Sequence, residues 1–188
     1  MKKAWIFLAI FVFLIVVGIA WYISGLNRIV RMDEQVNEAW AQIDTQLKRR
    51  SELIPDLVAT VKGYAKHERE VFTHIADARS ALAGAKTIPG KIKAATELDG
   101  ALARLLAIVE RYPELKANQT FLKLMDELAG TTNRIAVARV RYNRAVKTFN
   151  AHIREVFGRF FAKRRGLAEP RTYFEIEKEE IEVPGVKF

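Results

Sequence analysis

The chain has no cysteine among its 188 residues, only three histidines, and no charged side chain between Lys3 and Arg28. The first absence excludes disulfides, thiolate metal sites and a cysteine-linked lipid anchor, and it fits either side of a membrane. Few histidines, no Gly-rich phosphate loop, and Ser24, Ser51 and Ser80 outside any nucleophile-elbow context leave no recognisable catalytic constellation. The reading is a non-enzymatic protein with no cofactor.

The missing charge near the N-terminus has the largest consequence. From Ala4 to Ile23 the chain is almost wholly apolar. About twenty residues rising roughly 1.5 Å each cross a hydrocarbon layer roughly 30 Å thick. Trp5 at one end and Trp21 with Tyr22 at the other stand where amphipathic rings favour the lipid–water boundary. This pattern predicts a single transmembrane helix. A cleaved signal peptide is the competing reading, because Lys2 and Lys3 form a basic start and Gly18 with Ala20 are small enough for a cleavage site. Against it, the apolar run continues through Trp21, Tyr22 and Ile23, past the cut and beyond a typical signal core. The positive-inside rule is close to balanced: Lys2 and Lys3 oppose Arg28 and Arg31, with the 48–50 cluster further out.

What remains is rich in apolar residues at helical spacing. Val36, Trp40, Ile43, Leu47, Ile54, Leu57, Val61 and Tyr64, then Val71, Ile75, Ala78 and Leu82, follow steps of four and three, interrupted by Arg50 and Glu68. Such spacing lays a narrow seam along helices of a bundle or coiled coil. Pro55 falls inside the seam without changing its phase, which predicts a kink or a tight helix–helix connection near Arg50–Pro55, with Ser51 capping a fresh helix. Gly84 and Ile88-Pro89-Gly90 predict a loop. A third helix spans about 91–112, and a long fourth begins at Pro113 and carries Phe121, Leu128, Ile135, Tyr142 and Phe149, then Ile153, Phe157 and Phe160 after a small phase shift. The fold class is all-α: an N-terminal transmembrane helix over residues 1–27, an antiparallel up-and-down bundle of four helical segments over 28–165, and a short extended tail over 166–188. The tail reading rests on alternation in Thr172-Tyr173-Phe174-Glu175-Ile176 and Ile181-Glu182-Val183.

Two blocks carry a resemblance. The first is Val36-x-Glu38-Ala39-Trp40-x-Gln42-Ile43-Asp44-x-Gln46-Leu47-Lys48-Arg49-Arg50, continuing through Leu53-Ile54-Pro55 to Lys62-Gly63-Tyr64. The second runs from Tyr112-Pro113-x-Leu115-Lys116-Ala117-Asn118 through Asn133-Arg134-Ile135-Ala136, Ala138-Arg139, Tyr142-Asn143 and Ala145-Val146 to Asn150. Together with the hydrophobic start and Tyr173-Phe174, they resemble the LemA family of bacterial membrane proteins. The chain departs from the family pattern at Thr132, at Phe157-Gly158 in place of a Phe-Pro pair, and at the basic Lys163-Arg164-Arg165. The resemblance implies a helical bundle on one N-terminal span in the bacterial cytoplasmic membrane, with an interaction or organising role and no established enzymatic activity. It also implies the short N-terminus outside and the bundle in the cytoplasm, which shifts the charge balance only slightly.

The strongest candidate contacts are basic. Arg159, Lys163, Arg164, Arg165 and Arg171 close the bundle, and Lys48, Arg49 and Arg50 sit beside the Pro55 region, in a chain with a formal net charge of +9. A tethered positive surface is drawn to anionic lipid headgroups or to an acidic protein partner. The competing explanation is a solvated helix face. No nucleic-acid motif accompanies these residues, and nucleic acid is not an expected partner. Self-association is a further candidate, because Arg50 and Glu68 on the seam are the kind of polar interruptions that set register. A metal-dependent helical enzyme is the outlying alternative. His67, Glu70, His74 and Asp77 share one helix face and His152 with Glu155 a second, but neither pair has the Glu-x-x-His order of di-iron bundles, and surface pairing explains them more simply.

Overall fold

The computed structural model describes residues 2–65 and 67–175, with side chains from Trp5 onward. It is all-α, and among the described residues there is no strand. Six helices follow one another: α1 Lys2–Lys62, α2 Arg69–Gly84, α3 Ile88–Val109, α4 Pro113–Lys116, α5 Gln119–His152 and α6 Val156–Arg165. The chain divides into two compact units. Of the described residues, one contains 2–46 and 133–172 and the other those of 47–132 and 173–175, so α1 and α5 each contribute to both.

The unit built around 47–132 is an up-and-down arrangement. Arg79 of α2 reaches Ser51 of α1 while Lys62 lies over the Phe72 ring, so α2 runs antiparallel to α1. Arg50 pairs with Asp99 and Glu68 with Arg111, so α3 returns in the direction of α1. Arg49–Glu127 and Tyr64–Asn118 then set the start of α5 antiparallel to it. The seam residues Leu47, Ile54, Leu57, Val61, Ile75 and Leu82 are buried, as their spacing requires, and so are Leu98, Leu102 and Leu105 of α3, with Leu115, Phe121 and Leu128. Phe174 is buried as well.

In the other unit, α1 and α5 lie antiparallel, with Trp40 edge-on to Tyr142 at 5.4 Å between ring centroids. Ile29, Val36, Ile43, Val146 and Phe149 are fully buried. Helix α6 packs Gly158, Phe161 and Ala162 inward and ends in a left-handed Gly166 at φ 69°, the only such residue among those described. Leu167 N–H donates to the Ala162 carbonyl at 2.9 Å and Gly166 N–H to Lys163 at 3.2 Å, which closes the helix by a Schellman turn.

Four expectations from the sequence are corrected. No helix starts at Ser51: α1 is unbroken through Pro55 and stops at Lys62, so the first connection lies at 63–68. Proline removes one N–H, and the carbonyl it would have served, that of Ser51, accepts instead from Arg79 Nε at 3.0 Å. The second loop is shorter than Gly84–Gly90. Thr87 caps α3, its hydroxyl accepting from Gly90 N–H at 3.2 Å, and Pro89 occupies the first turn, where its missing N–H leaves no bond unmade. Pro113–Lys116, flanked by Tyr112 and Ala117, forms the separate single turn α4 before α5. Last, Ile153, Phe157 and Phe160 do not extend α5: the chain breaks at 153–155, and only Ile153 of the three is buried. Residues 166–175 contain no helix or strand, apart from the turn at Gly166, while the alternation at Ile176 and Ile181-Glu182-Val183 lies outside the described residues.

Candidate interaction surface

The first stretch of α1 is long and apolar enough to cross a membrane, and none of its most apolar window is buried inside the protein. The helix then passes directly into the core, with no break between Ile23 and the fully buried Ile29. At that junction the rings of Trp21 and Tyr22 meet α6. Trp21 lies 5.4 Å from Phe157 and 5.3 Å from Phe161, and Tyr22 lies 6.4 Å from Phe160 and 5.9 Å from Phe161, mostly edge to face.

Two glycines permit this packing. A Cβ on Gly25 would run into the Phe161 ring, and one on Gly158 would collide with the His152 carbonyl. Gly158 therefore lets α6 turn tightly under the end of α5, where His152 Nδ1 pairs with Glu155 at 2.8 Å and buried His152 Nε2 has no partner. The outer side of α6 stays open: Val156 is 84% exposed, Phe157 63% and Phe160 44%. Arg159, Lys163, Arg164 and Arg165 are exposed on the same helix, and the Arg164 guanidinium lies 5.6 Å over the Phe160 ring.

Beyond α6 the chain is strapped to the bundle. Asn150 donates to the Arg171 carbonyl at 2.9 Å and accepts from its N–H at 2.8 Å, while the Tyr142 hydroxyl donates to the Thr172 carbonyl at 2.7 Å. The Arg171 side chain binds the buried Asp33 carboxylate through Nε at 3.0 Å and through a second nitrogen, and lies 5.8 Å over Phe149. Burial pushes the Tyr142 phenol above its ordinary range, and the nearby Arg171 charge pulls partly the other way.

The basic residues singled out in the sequence fall into two groups. Arg50 is buried against Asp99, with its Nε unpartnered; Arg49 pairs with Glu127 at 3.6 Å; Arg171 is held by Asp33. Those three are engaged within the fold. Lys48, Arg159, Lys163, Arg164 and Arg165 are exposed, and α6 brings the last four together. The apolar side chains beside them, Val156, Phe157 and Phe160, were missed as a surface, because their spacing reads equally well as core. The available signal was Trp21-Tyr22, boundary residues that need partners. The histidines are not gathered: His67 precedes α2, His74 faces Glu70 at 3.7 Å on exposed surface, and His152 is in the other unit. Among the described residues no three His, Asp or Glu side chains converge on a metal position.

A shallow groove of about 530 Å³ lies between α1 and α5 in the same unit as α6, lined by Gln42, Gln46, Asn133, Arg134, Val137 and Arg141, among others. The buried Oε1 of Gln46 has no partner there, and Val137 and Val140 stand open on α5. Its walls carry amides, arginines, the Thr45 hydroxyl and one exposed valine, Val137, and no carboxylate.

A model of the LemA family matches residues 39–188. Magnetosome proteins MamQ 1 and MamQ 2 of Paramagnetospirillum magneticum are each 30% identical over 165 residues, covering 74% of this chain and 61% of their own length. Protein LemA of Metamycoplasma hominis is 25% identical over 182 residues, covering 94% of this chain and 82% of its own. The chain thus spans about six-tenths of the length of the magnetosome relatives.

Proposed function

The chain belongs to the LemA family, and from that premise we propose that it is a single-pass protein of the bacterial cytoplasmic membrane that acts as an interaction scaffold and catalyses no reaction. The observation that carries this reading is the unbroken helix from the apolar stretch into the core: the same α1 that is apolar at Trp5–Ile23 buries Ile29, Val36 and Ile43. No flexible linker separates anchor from domain, so a partner bound on the helix faces is held at a set distance from the bilayer. The relatives are named for a family or a cellular structure and not for a reaction, which supports the non-enzymatic half of the proposal. The groove along Gln42, Gln46 and Arg141 with exposed Val137 is the surface proposed for protein partners or a second copy.

Anchor and interaction are tested separately. Membranes carrying the full chain are washed with alkaline carbonate, and the retained protein is weighed intact by mass spectrometry. Retention at full mass is expected, whereas release, or a mass lower by about twenty residues, contradicts the anchor. Because the chain has no cysteine, a single Lys93→Cys, exposed on α3, reports the side of the domain by labelling intact cells with an impermeant maleimide. For the scaffold, a photo-crosslinking side chain at Val137 is expected to give a discrete adduct in cells that the same group at exposed Lys93 does not. Identical smears from both positions would leave the groove without a role.

A further inference from the structure

Helix α6 shows a surface that the bundle does not use. Its inner side, Gly158, Phe161 and Ala162, is buried, yet Val156, Phe157 and Phe160 point out. Apolar side chains scattered singly over a protein surface need no explanation, but three large ones adjoining on two turns, with two of the rings touching Trp21 and Tyr22, form a patch. The position of the patch identifies its occupant. Trp21 and Tyr22 close the apolar run that spans the bilayer, where aromatic side chains sit at the headgroup level. A segment whose rings are in contact with theirs lies at that same level.

We propose that α6 is an interfacial helix, lying in the headgroup layer of the bilayer that holds the anchor, with Val156, Phe157 and Phe160 at the acyl boundary and Arg159, Lys163, Arg164 and Arg165 among anionic lipid headgroups. This rests on the reading of Trp5–Ile23 as a membrane span. The composition is that of helices that lie in a membrane surface: large apolar side chains on one side and arginine and lysine around them. The Arg164 guanidinium over the Phe160 ring is a cation–π contact that sets a positive head group directly beside the apolar patch. A second copy is a poorer occupant, because pairing this face with itself brings the same cluster of cations against its twin. The glycines take on a purpose in this arrangement: Gly25 admits the Phe161 ring and Gly158 lets α6 fold back under α5, so that the helix is delivered to the anchor's rings. The domain is then held to the membrane at the span and again at α6, and cannot swivel freely about α1.

The test uses the full chain in vesicles of phosphatidylcholine with phosphatidylglycerol, carrying one cysteine at a time labelled with an environment-sensitive nitrobenzoxadiazole dye. Val156→Cys reports α6, Val12→Cys the middle of the span, and Val140→Cys an exposed position on α5. Spin-labelled lipids with the quencher either near the top or deep in the acyl chain are added in turn. The Val156 dye is expected to emit at shorter wavelength than the Val140 dye and to lose most intensity to the shallow quencher, while the Val12 dye loses most to the deep one and the Val140 dye loses little to either. A Val156 dye as unquenched as Val140, with Val12 still quenched, overturns the interfacial helix and leaves the anchor standing. A blue-shifted Val156 dye that no lipid quenches also overturns it, because the face is then covered by protein. If Val12 too is unquenched, the anchor reading itself has failed. Changing Lys163, Arg164 and Arg165 together to Gln in the Val156→Cys protein is expected to weaken the shallow quenching; unchanged quenching overturns the headgroup assignment.

Discussion

Removing the Asn150 side chain should release the segment after α6 without unfolding the bundle. Asn150 holds Arg171 through both of its main-chain groups, at 2.9 and 2.8 Å, from a nearly buried position. A hydrogen bond of this kind contributes about 1 kcal/mol net, so Asn150→Ala should cost about 2 kcal/mol, most of it in the closure of this segment. At 1.4 kcal/mol per factor of ten, the open population rises about 30-fold. The Tyr142 and Asp33 contacts remain, which keeps the effect local. Trypsin reads it directly. Cleavage after Arg171 requires the strap to open, and its initial rate follows the open population when reclosing is fast relative to cutting. Cleavage after exposed Arg165 serves as the reference, and cleavage after buried Arg50 reports global unfolding. An increase below about threefold at Arg171, within the context-dependence of single hydrogen bonds, would refute the strap. So would a parallel increase at Arg50, which would make Asn150 a general stabiliser.

Three further outcomes follow from the same geometry. Tyr142 is an acid whose folded pKa is raised, so the folded state holds its proton more tightly; its contribution is fully present below the unfolded pKa near 10 and is lost as pH rises through the folded value. The difference in melting temperature between wild type and Tyr142→Phe should therefore shrink above pH about 10, and a difference that does not change with pH contradicts the assignment. Pro55→Ala restores an N–H for the Ser51 carbonyl, so Arg79→Met, costing about 1 kcal/mol in the native chain, should cost almost nothing in the Pro55→Ala background. A denaturation double-mutant cycle with no coupling would show that Arg79 does not replace the missing donor. Gly25→Ala forces a Cβ into Phe161 and should destabilise by about 1–3 kcal/mol, with Phe161→Leu recovering part of the loss; additive losses would place the strain elsewhere.

The bundle was legible in the seam, where the steps Val36, Trp40, Ile43, Leu47, Ile54, Leu57 and Val61 mark residues that are buried. Their unchanged phase across Pro55 was compatible with a kink or a tight connection, and the structure has one continuous helix there. What the pattern did not contain was the donor that makes the proline tolerable, because Arg79 lies 28 residues beyond the Ser51 carbonyl it serves. The true break at 63–68 was hidden for a related reason: α2 resumes the four-and-three spacing after the turn, so the periodicity hardly registers the reversal. Charge was legible as charge and silent about use. Arg50 and Arg171 were read with the outward-facing cations, but Asp99 and Asp33 draw them into the fold, Arg171 across 138 positions of sequence.

The same limit explains α6. Ile153, Phe157 and Phe160 continue a helical spacing that, within a window of a dozen residues, is the same for a core stripe and for a membrane-facing one, since both are apolar on one side. The distinction lies in what stands opposite. Ile153 meets the bundle and is buried, whereas Phe157 and Phe160 meet Trp21 and Tyr22 and remain open on their far sides. Gly158 is the local residue that separates the two outcomes, because its lack of a Cβ allows the chain to pass the His152 carbonyl and leave the line of α5. A larger residue there would push the helix off that carbonyl, and the phenylalanines would lose the rings that hold them beside the end of the apolar span.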